Sequence, residues 1–422
     1  MASLESVSFT PHRASIAAGA VTWDALPAGG VSALPQIFWG NGRPWREANL
    51  WLMTRCQEDQ VKIETIGSNA ESLLAYAKWL EATNTDWQAF PKRLRDRCVV
   101  RYRRALITTR DANGLATSTA AARMRVVLAF YRWVYGAGLL ATQAPPWIDR
   151  IRTFRIADEV GLERTVITRS STLAIPQRRR KDSLEGGLTP LGLDTRDRFL
   201  RFAWEHASKE LALMLMVGFF TGMRLGSITD LRRETLARAT PDPLETSTSR
   251  LAIGPDASPP VATKFDVVGS PIIPTLLLEE LSEYVISKRH LDRAARAAPE
   301  DANLVFLTRF GQPYAQRGVN KSPSINVELH RLRQAAAKAN IPVSSFRFHD
   351  SRATFGTVVA DIAARKGSAA NAVAVVKDLL LQKDEASALR YIKFVEKTPA
   401  KAELANQFTR EFFGMLRGER HA

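Results

Sequence analysis

Three short stretches of the chain hold residue types that could act together on an anion. The first is Thr221-Gly222-Met223-Arg224, where the apolar run Leu211–Phe220 reaches a glycine turn and delivers a guanidinium. That group is charged at any physiological pH, so at the end of a buried helix it requires an anionic partner. Asp230 or Glu234 could be that partner, and so could an anionic ligand. The second stretch, Phe348-His349-Asp350-Ser351-Arg352, places His349 and Arg352 three residues apart. On a helix they share a face and can address one phosphate, although the same spacing often marks nothing more than a helix terminus. The third, Leu389-Arg390-Tyr391, ends a helical segment that begins near Ala386, where a tyrosine is ordinarily a half-buried packing residue.

Positioning such groups requires a rigid frame, and hydrophobic periodicity supplies one from about residue 193. Leu211–Phe220 is apolar on all sides and reads as a buried helix, and Asn326–Ala339 reads as an amphipathic one. Val261–Lys264 and Pro271–Pro274 read as short strands either side of Asp266–Ser270. Residues 193–410 are thus a mixed α+β, mainly helical domain, with a tail at 411–422. Upstream, residues 45–145 form a small all-helical domain. Glu71–Ala82 carries Leu73, Leu74, Tyr76, Ala77 and Leu80, and Thr117–Tyr135 carries Met124, Val127, Leu128, Tyr131 and Val134, all at three-and-four spacing. Pro145 and Pro146 close that domain, and residues 146–192 mix polar, Gly and Pro residues as an interdomain linker. Residues 1–44, rich in Ala, Gly, Ser and Pro without sustained periodicity, read as an extended or loosely packed segment of no assigned role.

Charge narrows the function classes. The 59 Lys and Arg against 43 Asp and Glu give a net +16, while 24% charged and 45% apolar residues are the proportions of a folded globular chain. A folded basic chain suits a polyanion, of which nucleic acid is the commonest, because each Lys or Arg on a phosphate releases counterions. Lys92, Arg93, Arg97, Arg101 and Arg104, with Tyr102 interleaved, make a candidate phosphate-tracking surface in the helical domain; the alternative is a solvated helix face. Arg178, Arg179, Arg180 and Lys181 make a second basic cluster, in the linker, suited to crossing a DNA backbone. Cys56 and Cys98 stand far apart without metal-ligand spacing, so neither a disulfide framework nor a zinc site is expected, and a reducing cytoplasm fits. Leu211–Met223 is too short to cross a bilayer, and no basic-then-apolar leader pattern occurs, so no membrane partner is expected. Neither a phosphate-cradling G-x-x-x-x-G-K-[ST] loop nor clustered carboxylates of a two-metal nuclease are legible.

Taken together, in this order and at these separations, the three stretches resemble the signature of the tyrosine recombinase (phage integrase) family. The family's T-G-x-R followed by a leucine matches Thr221, Gly222, Arg224 and Leu231; its H-x-L-R matches His349 and Arg352; its nucleophile matches Tyr391. Lys264, before Pro271-Ile272-Ile273-Pro274, stands where members hold a hairpin lysine, and the helical residues 45–142 stand where members have a core-binding domain. The resemblance therefore covers residues 45 to about 395. It implies a mainly α fold with a small β component: an all-helical, SAM-like core-binding domain and an α+β catalytic domain, closing as a C-shaped clamp on DNA. It also implies site-specific cleavage and rejoining of DNA through a 3′-phosphotyrosine at Tyr391, without metal or cofactor. In that chemistry Arg224 and Arg352 hold the non-bridging oxygens, and their charge lowers the Tyr391 pKa. His349 takes the phenol proton or binds an oxygen, and Lys264 protonates the 5′-oxygen. Implied partners are double-stranded recombination sites, a homotetramer on DNA and accessory recombination proteins, in the cytoplasm on nucleoid DNA, for a mobile genetic element. The Thr398–Leu416 segment, amphipathic through Leu404, Phe408, Phe412 and Phe413, could dock on a neighbouring protomer or on its own domain.

The chain departs from the family pattern at three places. Nine residues before Tyr391, where Leu-Gly-His or Leu-Gly-Trp is usual, stands Leu380-Leu381-Gln382; the Gln382 amide is a neutral donor in place of an aromatic one. Ser227 stands where an acidic residue commonly follows the first arginine, with Asp230 as a replacement contact, and Ser351 stands for the usual leucine. These departures motivate an alternative, a DNA-binding regulator or accessory protein on a decayed recombinase scaffold. Retention of both arginines, the histidine and the tyrosine favours the active enzyme.

Overall fold

The computed structural model describes residues 1–396, apart from 18–19, 27–29, 58–60, 141, 143–146, 158–162, 177–183, 185–186, 244, 318, 320, 367–368, 384 and 386. Arg178, Arg179, Arg180, Lys181, Pro145, Pro146 and the Thr398–Leu416 segment thus lie outside the described residues. The chain divides into two compact units, Met1–Arg178 and Arg179–Ala422. No described helix is long and apolar enough to cross a membrane.

The first unit is built on four helices: α1 (Arg46–Gln57), α2 (Ile63–Ala82), α3 (Cys98–Asp111) and α4 (Thr117–Gly136). The apolar stripes expected from periodicity meet in its core. Leu73, Tyr76, Ala77 and Leu80 of α2 pack with Met124, Val127, Leu128, Tyr131 and Val134 of α4. The Tyr76 and Tyr131 hydroxyls are 2.8 Å apart, and Tyr131 donates to the Trp87 carbonyl at 2.6 Å. Burial pushes both phenols well above the ordinary tyrosine range, so they are neutral hydrogen-bonding core residues.

The described part of residues 1–44 holds more regular structure than its composition implies. β1 (Ser3–Phe9) pairs antiparallel with β4 (Val31–Phe38), and β2 (His12–Ala17) with β3 (Ala20–Ala25). β4 sends Leu34 and Ile37 into the helical core. Asn49 of α1 satisfies both backbone groups of Ile37, accepting from its N–H at 2.7 Å and donating to its carbonyl at 3.0 Å. Glu81 at the end of α2 accepts from Ala2 N and Gly40 N, each at 2.6 Å. Those partners lie far along the chain, so a local pattern could not reveal them. The stretch expected as a plain linker likewise carries a hairpin, β5 (Asp149–Ala157) with β6 (Glu163–Ser171). Its first residue, Asp149, is held by Arg132 of α4 at 3.0 Å and by the Trp147 indole at 2.9 Å.

The second unit surrounds α6 (Lys209–Thr221), packed by α5 (Leu193–His206) and followed by the short α7 (Leu225–Ile228) and α8 (Arg233–Ala237). A three-stranded antiparallel sheet comes next, β7 (Thr240–Pro241), β8 (Thr248–Arg250) and β9 (Ile272–Pro274), in that order. Helices α9 (Thr275–Ile286), α10 (Lys288–Ala294), α11 (Pro323–Lys338), α12 (Asp350–Lys366) and α13 (Ala369–Leu379) complete it with helical residues 387–396. α6 is buried on nearly every side, as its largely apolar sequence requires, with Glu210 as its buried charged residue. Arg289 grips that carboxylate at 2.7 and 2.9 Å, Arg293 approaches to 3.0 Å and the Tyr284 hydroxyl donates at 2.8 Å. Burial opposes ionisation of Glu210, yet these donors together hold its pKa below the ordinary carboxylate value. One expected strand is absent: Val261 makes a single bridge to Gly254, and Lys264–Asp266 form a 3-10 turn. Phe265 (φ 66°) and Asp266 (φ 55°) are left-handed there, which no strand accommodates.

Candidate active site

Arg224 is placed by the way α6 ends. The α6 N-terminus is capped by Ser208, whose hydroxyl accepts from Leu211 N at 3.2 Å. Its C-terminus closes on Gly222, at φ 65°. A side chain there would be both strained and obstructed, since a Cβ would meet the Phe355 ring at 2.5 Å. Thr221 completes the turn: its hydroxyl donates to the Val217 carbonyl at 2.7 Å and accepts from Met223 N at 3.1 Å. Arg224 follows in extended conformation as the residue preceding α7, half-buried.

Arg352 comes from the first turn of α12, which crosses α6 closely. A Cβ at Gly218 would stand 2.7 Å from the Ser351 hydroxyl oxygen, so the absence of a side chain at Gly218 allows the approach. Ser351 is fully buried and donates to the Phe348 carbonyl at 2.7 Å, which accounts for serine in place of the usual leucine. Asp350 fixes the helix start, accepting from Arg347 N at 2.7 Å and Thr189 N at 3.2 Å. Arg352 is 2% exposed and donates to the Gly222 carbonyl at 2.7 Å and the Leu380 carbonyl at 2.6 Å. Those two carbonyls orient the guanidinium. Both Arg224 and Arg352 line one cleft, with Thr221, Ser227, Ile253, Thr263, Val267 and Leu381. His349 sits half-buried in the turn just ahead of α12.

Lys264 lies exposed on the loop at the cleft's margin, its Nζ 5.0 Å from the centre of the Phe265 ring. The loop is pinned at its root by Asp230, whose Oδ2 accepts from Ala262 N at 2.6 Å and from Arg317 at 3.2 Å. Asp230, expected as a replacement contact for Ser227, thus supports the lysine loop; Glu234 accepts from Asn303. Gln382, 7% exposed, follows the turn that ends α13, and its N–H returns to the Lys377 carbonyl at 2.9 Å. In that turn Leu381 takes φ 46°, the left-handed position where glycine is favoured. The sequence pattern does not reveal that Asp230 ties the lysine loop; for Leu381 it carries one signal, a leucine at the glycine position of the family pattern.

Tyr391 departs from expectation in two respects. It lies within the helical residues 387–396 rather than at a helix end, because Ile392, Phe394 and Val395 continue the apolar packing beyond it. It is also fully buried, in a small cluster with Ala353, Ala360, Val376, Leu380 and Ala388, and its ring lies against Gly356 of α12. Tyr391 and Arg352 meet the same residue, Leu380, from different directions: the ring packs in its cluster, and the guanidinium donates to its carbonyl.

In the first unit, Lys92, Arg93 and Arg104 are exposed and Arg101 is half-buried with its guanidinium over the Trp79 ring at 5.8 Å. Trp79, Arg101, Arg104, Thr108 and Thr109 line one groove on α3. Arg97 does not join that surface: it is 8% exposed and donates to the Pro91 carbonyl at 3.1 Å, bracing the loop before α3.

These elements define the fold of the tyrosine-recombinase integrases. Among solved structures, the Tn1549 transposon integrase in complex with circular intermediate DNA superposes with a TM-score of 0.51 at 14% identity, covering 85% of this chain and 98% of that one. A lambda integrase dimer bound to a core site gives a TM-score of 0.48 at 12% identity, covering 83% and 95%. No family's sequence profile matches the chain, and no curated protein matches it by sequence. At 14% identity the likeness to the Tn1549 integrase shows the fold alone.

Proposed function

We propose that this protein is a site-specific DNA recombinase that breaks and rejoins strands through a covalent 3′-phosphotyrosine at Tyr391. The observation that carries the proposal is the convergence of Arg224 and Arg352, far apart in sequence, on one cleft whose margin holds the Lys264 loop and whose wall includes the turn before Gln382. A phosphodiester under in-line attack gathers negative charge on its non-bridging oxygens, and two guanidinium forks at one cleft are suited to it. Arg352 is preoriented by the Gly222 and Leu380 carbonyls, so little reorganisation is needed when the phosphate enters. As the Tyr391 oxygen bonds phosphorus, its proton passes to His349, and the departing 5′-oxygen takes a proton from Lys264. Gln382 supplies a neutral amide donor to a phosphate oxygen. The phosphotyrosine retains the energy of the broken ester, so a second 5′-hydroxyl can reverse the attack and reseal the strand.

Because Tyr391 is fully buried, its cleavage-competent position requires the 387–396 helix to shift out of the α12–α13 cluster. DNA binding would select that shifted state, and the exposed basic groove on α3 would hold the duplex. By the same fold-level likeness we assign the enzyme to a mobile element and its working form to a tetramer on paired DNA sites. Burial of the tyrosine also favours a second function, a DNA-binding accessory protein that does not cleave.

The deciding experiment incubates the full-length protein with nicked duplexes of randomised sequence and recovers strands that stay bound through denaturation. Covalently captured strands of shared sequence, lost with Tyr391→Phe, are the expected result and define the site. Sequence-selective binding without any covalent strand would identify the accessory protein instead.

A further inference from the structure

The turn after α13 contains an apparent contradiction. Leu381 occupies a left-handed position (φ 46°) at which a side chain is disfavoured, yet it keeps the bulk of a leucine. Its side chain lies against Gly269, where an added methyl group would overlap Leu381 Cδ2. Gly269 is no ordinary loop residue: it exchanges two backbone hydrogen bonds with Ile253, at 2.9 and 3.0 Å, and so closes the base of the loop that carries Lys264. Two residues beyond Leu381, the Lys383 ammonium stands 5.5 Å from the centre of the Phe265 ring, next to Lys264 on the same loop. The root of the loop is tied separately, through Ala262 N to Asp230. The Thr263 hydroxyl closes it internally on the Val267 carbonyl at 2.7 Å.

We infer that Leu381 is a positioning residue that docks the Lys264 loop onto the turn preceding the Tyr391 helix. A glycine at 381 would relax the backbone but leave nothing to bear on Gly269; the leucine accepts a strained backbone in return for that contact. The loop's tip at Phe265 and Asp266 is exposed and doubly left-handed, and Leu381 and Lys383 are the contacts that reach this loop from the turn after α13. The inference rests on the assignment of Lys264 as the proton donor to the leaving group.

The step at issue balances simply. The Tyr391 oxygen–phosphorus bond forms while the phosphorus–5′-oxygen bond breaks; the phenol proton goes to His349, and the 5′-oxygen receives one from Lys264. If the 5′-bridging oxygen is replaced by sulfur, the leaving thiolate is stable without that proton, and any defect confined to proton delivery disappears. The test uses the duplex recovered by covalent capture, prepared with 5′-oxygen or 5′-sulfur at the cleaved bond, and follows single-turnover adduct formation by the full-length protein. Lys264→Ala is expected to slow the oxygen substrate by about 10²–10⁴-fold and to cleave the sulfur substrate normally. Leu381→Gly is expected to show the same split with a smaller loss, on the order of 10–100-fold on oxygen, since a misplaced donor still acts. Leu381→Met, which keeps the bulk, restores cleavage of the oxygen substrate, and Gly269→Ala, which pushes on Leu381, reproduces the defect.

The outcomes separate the two claims. If Lys264→Ala is slow on both substrates, the proton-donor assignment fails. If sulfur rescues Lys264→Ala but Leu381→Gly is slow on both substrates, or slow on neither, Leu381 does not position the lysine. No adduct from the wild-type protein on any duplex would overturn both.

Discussion

The buried position of Tyr391 can be tested by adding one methyl group to α12. Gly356→Ala places a Cβ 2.5 Å from Tyr391 Cε1, 2.8 Å from Cδ1 and 2.9 Å from Leu380 Cδ1. Neither neighbour has an open side to retreat to, because both Tyr391 and Leu380 are fully buried. Overpacking of a closed core costs about 1–3 kcal/mol, and lack of room to yield argues for the upper half. Against it stands the gain of alanine over glycine inside a helix, about 0.5–1 kcal/mol. The net expectation is a loss of roughly 1–2 kcal/mol in the second unit. Gly67→Ala in α2 is the matched control, because nothing lies within 4 Å of its added methyl and only the gain of about 0.5–1 kcal/mol remains. The assay is urea unfolding of the full chain, followed by helical ellipticity and tryptophan fluorescence. Trp204 is the only tryptophan of the second unit, so fluorescence chiefly reports the first and ellipticity reports both. Gly67→Ala should move the fluorescence transition up, and Gly356→Ala should move a transition seen by ellipticity down. A Gly356→Ala protein as stable as wild type, or more so, would refute the packing of Tyr391 on α12.

Other consequences can be measured independently. Arg352→Lys cannot reproduce a fork that holds the Gly222 and Leu380 carbonyls while facing a phosphate, so single-turnover adduct formation should fall about 10²–10³-fold. Stability should decline on acidification, because burial and ion pairing, respectively, depress the folded-state pKa values of His290 and Glu210. Burial chiefly lowers that of His290, and the Arg289, Arg293 and Tyr284 donors outweigh burial at Glu210. Each group stabilises the fold above its unfolded pKa and loses that contribution as pH falls. The urea midpoint should therefore drop first as pH falls through the ordinary histidine range and again through the carboxylate range, with Glu210→Gln reducing the second part; a midpoint indifferent to acid would contradict this. Arg101→Ala and Arg104→Ala should each weaken duplex binding at low salt and reduce the slope of log K against log salt by about 0.9 if each contacts one phosphate. Fluorescence anisotropy across a salt series would expose an unchanged slope.

The parts of the molecule legible in the sequence are those governed by local periodicity. The stripes of α2 and α4, the largely apolar α6 and the amphipathic α11 appear where the spacing of Leu, Val, Tyr and Met placed them. Thr221-Gly222 also announced its turn, since only glycine suits φ 65° beneath the Phe355 ring. What escaped was determined by distant partners. β4 is fixed by Asn49, Ala2 and Gly40 by Glu81, and Asp149 by Arg132, none of which a window of neighbouring residues contains. The loop of Lys264 read as a strand because Val261 and Thr263 favour extension, whereas Phe265 and Asp266 adopt left-handed backbone. Arg97 belonged by composition to a basic surface and by structure to a loop brace, because a basic side chain's direction is not written in its spacing. Tyr391 is legible only through the motifs upstream of it, and its complete burial follows from the apolar residues on both sides of it.

The most direct measurement is the identity of the residue joined to DNA. The captured protein–DNA adduct would be digested with protease and nuclease and its peptides sequenced by mass spectrometry. Cleavage through the Arg224–Arg352 cleft requires a phosphonucleotide on Tyr391 and no adduct from Tyr391→Phe. A nucleotide on any other residue, or an adduct undiminished by that substitution, would contradict the assignment of Tyr391 as the nucleophile.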